Sequence, residues 1–322
     1  MSTSVSALDL DVRTLEQGFH SHRFRARNVG FDAFIWRGGP GPVVVINGAT
    51  HGDEYEGPTV LRQWVQRWRP VRLRGTVIMI PVLNEGAFEA GERCHPTDNG
   101  NLARAFPGNH RGSVTARLAH LFDSQVLAQA THYVDLHSGG RAYELLPWVG
   151  YLSCPGGIGR AQRAMAGCFD DFWCWAGPHL PGRTLSAAYS RGVPAIYVEC
   201  RGRGGVDARD LRALDRGLSK LLRATGCVPG PPPRRRAQLL RVSRDAEEAH
   251  LQVHHPAPHA GLFVPSVALG QHVSKGKTLG TVYPLGNVTA SLVKAERSGR
   301  VVLVRHQRSV RAGDALFTLA PT

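Results

Sequence analysis

Two different spacings of hydrophobic positions alternate along the first two thirds of the chain. Short apolar runs rich in valine and isoleucine occur at Val43 to Asn47, Val77 to Pro81, Thr131 to His137 and Pro194 to Cys200. Runs of this length and composition predict strands. Between them, Pro58 to Arg69, Thr115 to Ala130 and Asp207 to Thr225 carry the wider spacing of helices. In the last of these, Leu211, Leu214, Leu218, Leu221 and Leu222 form one apolar stripe, and Gly226 stands where such a helix would stop. Strands alternating with helices predict an α/β domain.

The texture changes after residue 226. Pro229 to Gln238 has no periodicity and cannot continue a helix, so it reads as a linker. We therefore expect a large domain over 1–226, a linker over 227–245 and a small β-module over 246–322. Within the module, two stretches of similar pattern follow one another, pairing Gly261 with Gly299, Val273 with Val310, Gly276 with Gly313 and Leu279 with Leu316. Two such units predict a small pseudo-symmetric barrel or sandwich, and the pattern resembles the lipoyl/biotinyl-type fold. Carrier domains of that fold bear a modified lysine on the hairpin between the halves. Here that hairpin reads YPLGNVTAS, and Lys294 falls at an ordinarily structural position. The module is therefore read as a packing or oligomerisation surface, so a homo-oligomer is compatible with the sequence.

Composition narrows the class. With 322 residues, 42% of them hydrophobic and 20% charged, the chain can bury a substantial core. No apolar run reaches the ~18 residues a membrane span requires. The N-terminus lacks the basic-then-apolar order of a secretory signal, so a cytoplasmic location is expected and no membrane partner. Six cysteines without a CxxC pair predict reduced thiols, not disulfides or a thiolate metal site. The net charge of +14 favours anionic ligands. The basic residues are dispersed, however, apart from Arg234, Arg235 and Arg236, and no nucleic-acid module is recognisable, so a nucleic-acid partner is not expected.

Chemistry concentrates at the ends of the predicted strands. In VVVINGATHGDEYEG, His51 and Glu54 follow an apolar strand on a glycine-punctuated turn that can aim both side chains at one spot. His137 closes the strand of THYVDLHSGG, with Asp135 two residues earlier on the same strand face. PAIYVEC places Glu199 at the tip of a run so apolar that a carboxylate there needs a partner or a task. In open α/β sheets ligands bind beyond the carboxyl ends of strands, where His51, His137 and Glu199 all fall. Two imidazoles and a carboxylate can hold zinc with one position open for water, and a further carboxylate can act as base. The rival for Glu199 is a salt bridge to Arg201 or Arg203. Arg93 and Arg104, in GERCHPTDNGNLARAFPG, suit a carboxylate or an oxyanion.

In this order, HGDE, NLARAFPG, DLHSGG and the strand ending in Glu199 resemble the succinylglutamate desuccinylase/aspartoacylase family, a branch of the zinc carboxypeptidase superfamily. The resemblance covers roughly residues 40 to 225. It implies an α/β fold with a zinc-carboxypeptidase-like mixed sheet flanked by helices, followed by a smaller all-β, barrel-sandwich-like domain. It also implies one Zn2+ per chain on His51, Glu54 and His137, Glu199 as general base, Arg93 stabilising the oxyanion, and Arg104 with Asn101 binding substrate. Where the family reads NLNRAFPG this chain has Ala103, which removes an amide that would help Arg104 hold a carboxylate.

The expected activity is zinc-dependent hydrolysis of the amide of a small N-acyl amino acid or N-acyl amine. The alternative within the class is a zinc carboxypeptidase acting on short peptides. A binding protein without turnover would be indicated by loss of a metal ligand, and none is lost. Substrate specificity is expected in loops, including Tyr143, Glu144 and the tract from Cys154 to Arg183.

Overall fold

The computed structural model of the chain describes residues 8–70, 72–231, 238–242, 251–286 and 289–321. Strands β1 (Gly18–Ala26), β2 (Val29–Arg37), β3 (Val43–Asn47), β4 (Thr76–Ile80), β5 (His132–Ser138), β6 (Tyr143–Leu145), β7 (Trp148–Leu152), β8 (Trp173–Gly177), β9 (Ala195–Cys200) and β10 (Gln238–Val242) alternate with six α-helices. These are α1 (Glu56–Arg67), α2 (Glu85–Ala90), α3 (Val114–Gln125), α4 (Gly156–Ala166), α5 (Thr184–Ser190) and α6 (Ala208–Ala224). All the strands except β6 form one mixed sheet in the order β1-β2-β4-β3-β5-β9-β7-β8-β10.

Its centre is parallel: β4, β3, β5 and β9 run the same way. Successive residues of β3 point to opposite faces, so Val43 and Val45 enter one apolar layer while Val44 and Ile46 enter the other. The first layer takes Leu118 and Phe122 of α3 and Leu185 and Ala188 of α5. The second takes Leu61 and Trp64 of α1, Met165 of α4 and the expected leucines of α6, with Leu214, Leu218, Leu221 and Leu222 buried. Asp207 caps α6 by accepting from the Arg209 amide, and Thr225 ends it. The helix expected over Thr115 to Ala130 stops at Gln125, and a separate 3-10 turn, Leu127–Gln129, follows.

Gln238–Val242, inside the stretch read as a linker, lies parallel to β8 at the sheet edge. The Arg234, Arg235 and Arg236 cluster and residues 243–250 fall outside the described residues. Beyond them the described residues form strands apart from one 3-10 turn, Leu251–Val253, and the two halves repeat one another. Gly261 and Gly299 each open a strand, and Val273 and Val310 each close a two-residue strand. Gly276 and Gly313 turn with φ of +82° and +85°, conformations only glycine adopts without strain. Leu279 and Leu316 are both fully buried. The paired positions of the internal repeat are thus equivalent in space.

The module is joined to the larger sheet. Tyr143–Leu145 pairs antiparallel with Leu303–Arg305, and Tyr143, Leu145, Trp148 and Trp175 share an apolar cluster with Val302, Leu303, Ala315 and Ala320. All six cysteines are free thiols. Among the described residues no helix is long and apolar enough to cross a membrane.

Leu303 is 1% exposed in that shared cluster. Leu303→Ala should therefore cost about 2–5 kcal/mol and visibly lower Tm. An unchanged Tm by calorimetry would show that the two units are not held by this contact.

Candidate active site

The carboxyl ends of β3, β5 and β9 lie side by side because the three strands are parallel neighbours. His51 and Glu54 occupy the turn between β3 and α1, while His137 and Glu199 are directly paired across β5 and β9. Adjacent strands are about 4.8 Å apart, so the last two side chains start from neighbouring points. The four residues that the sequence singled out are thus brought to one place.

His51, Glu54 and His137 are all buried, and one ligand atom from each lies within 4.8 Å of the others. Nδ1 of His51 is 2.8 Å from Glu54 Oε1, and Nδ1 of His137 is 2.9 Å from Glu54 Oε2. The opposite ring nitrogens are committed elsewhere. His51 Nε2 is 3.0 Å from Asn101 Oδ1, which also accepts from the Ala103 amide, and His137 Nε2 is 2.9 Å from Asp135 Oδ2. Both ring nitrogens therefore face acceptors; with a cation held between the Nδ1 atoms and Glu54, Nε2 would keep the ring proton and Nδ1 would be the ligand atom. The two Nδ1 atoms converge on the two oxygens of Glu54. Such a set is satisfied by a shared cation, and two imidazoles with one carboxylate leave a fourth position open. The donor set therefore fits a divalent metal ion.

Asp135 is itself fully provided for. Its carboxylate accepts from Asn47, Thr50 and Thr184 at 2.7–3.0 Å, and Tyr133 donates to Asn47 at 2.7 Å. Burial opposes the charge on Asp135, but His137 and the hydroxyl donors outweigh it and lower its pKa. Burial likewise opposes the charge on Glu54, and His51 and His137 hold its carboxyl well below the usual range. His137 is raised well above the ordinary histidine value because Asp135 and Glu54 outweigh its burial. His51 is pushed down to about 4 by burial and by the Arg93 charge.

A cavity of about 260 Å³ opens over this cluster. Its polar wall carries His51, His137, Glu199, Arg93, Arg104 and Arg183, and its apolar wall includes Trp175, Leu180, Leu185 and Val253. Arg93 reaches inward, with Nη1 3.2 Å from Glu54 Oε1. Glu199 opens onto the cavity, and burial pushes its carboxyl up to about 8. Arg201 and Arg203 turn to Glu144 and Asp207, at 3.3–3.8 Å.

Other expected residues are placed differently. Asn101 turns its side-chain oxygen onto His51 and is absent from the cavity wall, as are Tyr143 and Glu144. The tract from Cys154 to Arg183 does contribute, through Trp175, Gly177, Pro178, Leu180 and Arg183. Tyr197 also lines the cavity. Its position two residues before Glu199 on a strand puts both on one face, a period-2 signal the sequence contained.

A helix-covered sheet with a His–Glu–His set at the ends of its central parallel strands, followed by an all-β module, defines the zinc-carboxypeptidase-like fold class. The chain belongs to the succinylglutamate desuccinylase/aspartoacylase family, whose catalytic domain matches residues 40–225. It is 32% identical over 288 residues to the N-alpha-acetyl-L-2,4-diaminobutyric acid deacetylase of Halomonas elongata, across 88% of this chain and 83% of that protein. The product-bound ectoine utilization protein EutE of Ruegeria pomeroyi superposes with a TM-score of 0.86 at 25% identity, covering all of both chains. A succinylglutamate desuccinylase/aspartoacylase from Rhodobacter sphaeroides gives 0.84 at 28% identity over 99% of each chain.

Asp135→Asn keeps the size of the side chain but removes the charge facing His137. We expect divalent-metal affinity to fall about 10–100-fold, read by competition with a chromophoric chelator. Equal affinity would show that Asp135 does not orient the imidazole for a metal.

Proposed function

We propose that the chain is a zinc-dependent deacylase that hydrolyses the amide of a small N-acyl amino acid or N-acyl amine. The observation that carries this reading is the convergence of two Nδ1 atoms and the Glu54 carboxylate beneath a cavity walled by Glu199 and arginines. Zinc suits a buried set of two imidazoles and one carboxylate with an open position. Family membership and the deacetylase activity named for the Halomonas elongata relative support an amide substrate.

When bound, the cation supplies Lewis acidity to a carbonyl and acidifies water. The chain's own groups supply the rest. Glu199, on the cavity wall beside His51 and His137, is placed to take a proton from water and pass it to the departing amine. Arg93 is placed to donate to the oxygen that becomes negative as the carbonyl is attacked. Asn101 and Asp135 hold the two rings in the tautomer that presents Nδ1.

Glu199→Gln should retain stoichiometric metal and lose about 10²–10⁴-fold in kcat on N-acetyl amino acids. Unchanged turnover would remove Glu199 from the role of base. Chelation should abolish turnover and added Zn2+ restore it, and cleavage of dipeptides in preference to acyl amino acids would favour a carboxypeptidase.

A further inference from the structure

The side of the cavity away from the histidines is hydrocarbon, and it is built from strand ends. Tyr151 and Leu152 close β7, Trp175 lies on the neighbouring strand β8, Leu180 follows that strand and Leu185 belongs to α5. None of the five is more than 8% exposed. Trp175 is paired with Gly150 of β7, where a Cβ would lie 1.9 Å from the Tyr197 ring, so the missing side chain leaves the room that Tyr197 occupies. The stretch from β8 to Leu180 is fastened at both ends: the Gly177 carbonyl accepts from the Ser153 amide at 2.7 Å, and the Leu180 carbonyl from the Ser186 hydroxyl at 2.6 Å. From behind, Trp175 is packed against the C-terminal module in the cluster with Val302 and Ala315. A close-packed wall of this kind cannot turn its hydrocarbon away from an occupant.

The charged side is one-signed apart from the base. It carries Arg93, Arg104 and Arg183, and among the described residues Glu199 is its only carboxylate. Glu54 is already faced by His51, His137 and Arg93, and Asp135 by His137, Asn47, Thr50 and Thr184. An ammonium entering the cavity thus meets three guanidiniums and no anion except Glu199. Pairing there would occupy the group that must accept a proton, and an unpaired charge is costly to enclose.

Resting on the deacylase reading, we infer that the cavity seats an apolar group of the N-acyl substrate against Trp175, Leu180 and Leu185 and turns away substrates whose side chain bears an ammonium. The substrate named for the Halomonas elongata relative carries such a free amine, so the inference separates this chain from that deacetylase. Either an aliphatic amino-acid side chain or an aliphatic acyl chain supplies the apolar group.

The test uses the zinc-loaded full chain with N-acetylglycine, N-acetyl-L-leucine, N-acetyl-L-methionine, N-hexanoylglycine and Nα-acetyl-L-2,4-diaminobutyrate. Wild type should favour an apolar compound over N-acetylglycine by about 10-fold or more in kcat/KM, and over the diaminobutyrate by about 50-fold or more. Preference for the leucine and methionine compounds seats the side chain on this wall, and preference for N-hexanoylglycine seats the acyl chain. Trp175→Ala should lose most of the gain over N-acetylglycine through KM, with metal content unchanged. Leu180→Thr, a smaller change should the indole prove necessary for folding, should lose about 5-fold. Equal kcat/KM for N-acetylglycine and every apolar compound, or turnover of the diaminobutyrate as fast as theirs, overturns the inference while sparing the deacylase reading. Wild-type preference in both variants overturns it as well. If no N-acyl compound is turned over, the deacylase reading falls and calorimetric binding to the Glu199→Gln protein decides the rest. Binding of N-acetyl-L-methionine or N-hexanoylglycine that Leu180→Thr weakens keeps the apolar seat, whereas no binding, or equal affinity for the diaminobutyrate, removes it.

Discussion

The structure turns on two imidazole nitrogens facing one carboxylate at the buried floor of the cavity. His51 and His137 are 3% and 7% exposed and Glu54 is 2% exposed, so neither charge nor lone pair can be relieved by solvent. A carboxylate so placed is tolerable only with positive charge against it. The surrounding polar residues serve that requirement. Asp135 fixes His137, Asn101 fixes His51, and Asn47, Thr50 and Thr184 saturate Asp135, so the chain of hydrogen bonds holds the inward nitrogens against Glu54. Truncating Thr184 would leave an oxygen of a buried carboxylate short of a donor, and the loss would be transmitted to His137.

Such an arrangement needs a rigid frame, and parallel strands buried on both faces provide it. β3, β5 and β9 place their carboxyl ends in one row, and the pairing of Asn47 with Asp135, and of Asp135 with Tyr197, carries that row across three strands. A slip of one residue in β5 would send His137 to the opposite face. Tyr133 of β5 packs in one layer and Val134 and Leu136 in the other, so such a slip is expensive because it would exchange their layers. Core packing and metal geometry are therefore set by the same register.

How much of this was legible follows from how local each signal is. His51, Glu54, His137 and Glu199 could be read because each follows an apolar run whose end is marked by glycine or polarity, and strand ends are where ligands bind. The leucine stripe of α6 and the internal repeat were equally local. The β1–β2 hairpin was missed because its strands mix charged and apolar residues at an exposed edge. Gln238–Val242 was taken for linker because a five-residue edge strand beside a proline run carries little period. Arg183 could only be placed within a long tract: its place on the cavity wall goes with Gly182 lying against Arg104, a contact between segments 78 positions apart in a chain rich in arginine. Asn101 was assigned to substrate from its motif, whereas its geometry shows a carboxamide oxygen turned to His51.

The C-terminal module enters the same logic through Trp175. That residue lies on β8, is 4% exposed, and belongs both to the apolar wall of the cavity and to the cluster shared with Val302, Leu303, Ala315 and Ala320. Gln252 and Val253, from the segment leading into the module, also reach the cavity wall. An indole packed between two units cannot hold its place if one of them moves, because a close-packed contact has no slack to absorb the shift. The shape of the apolar wall thus depends on residues more than 120 positions beyond it, and the pairing of Tyr143–Leu145 with Leu303–Arg305 fixes how those residues approach. A module with no attachment lysine on its hairpin still has a physical consequence for the site: it sets the position of one wall against which a substrate would rest.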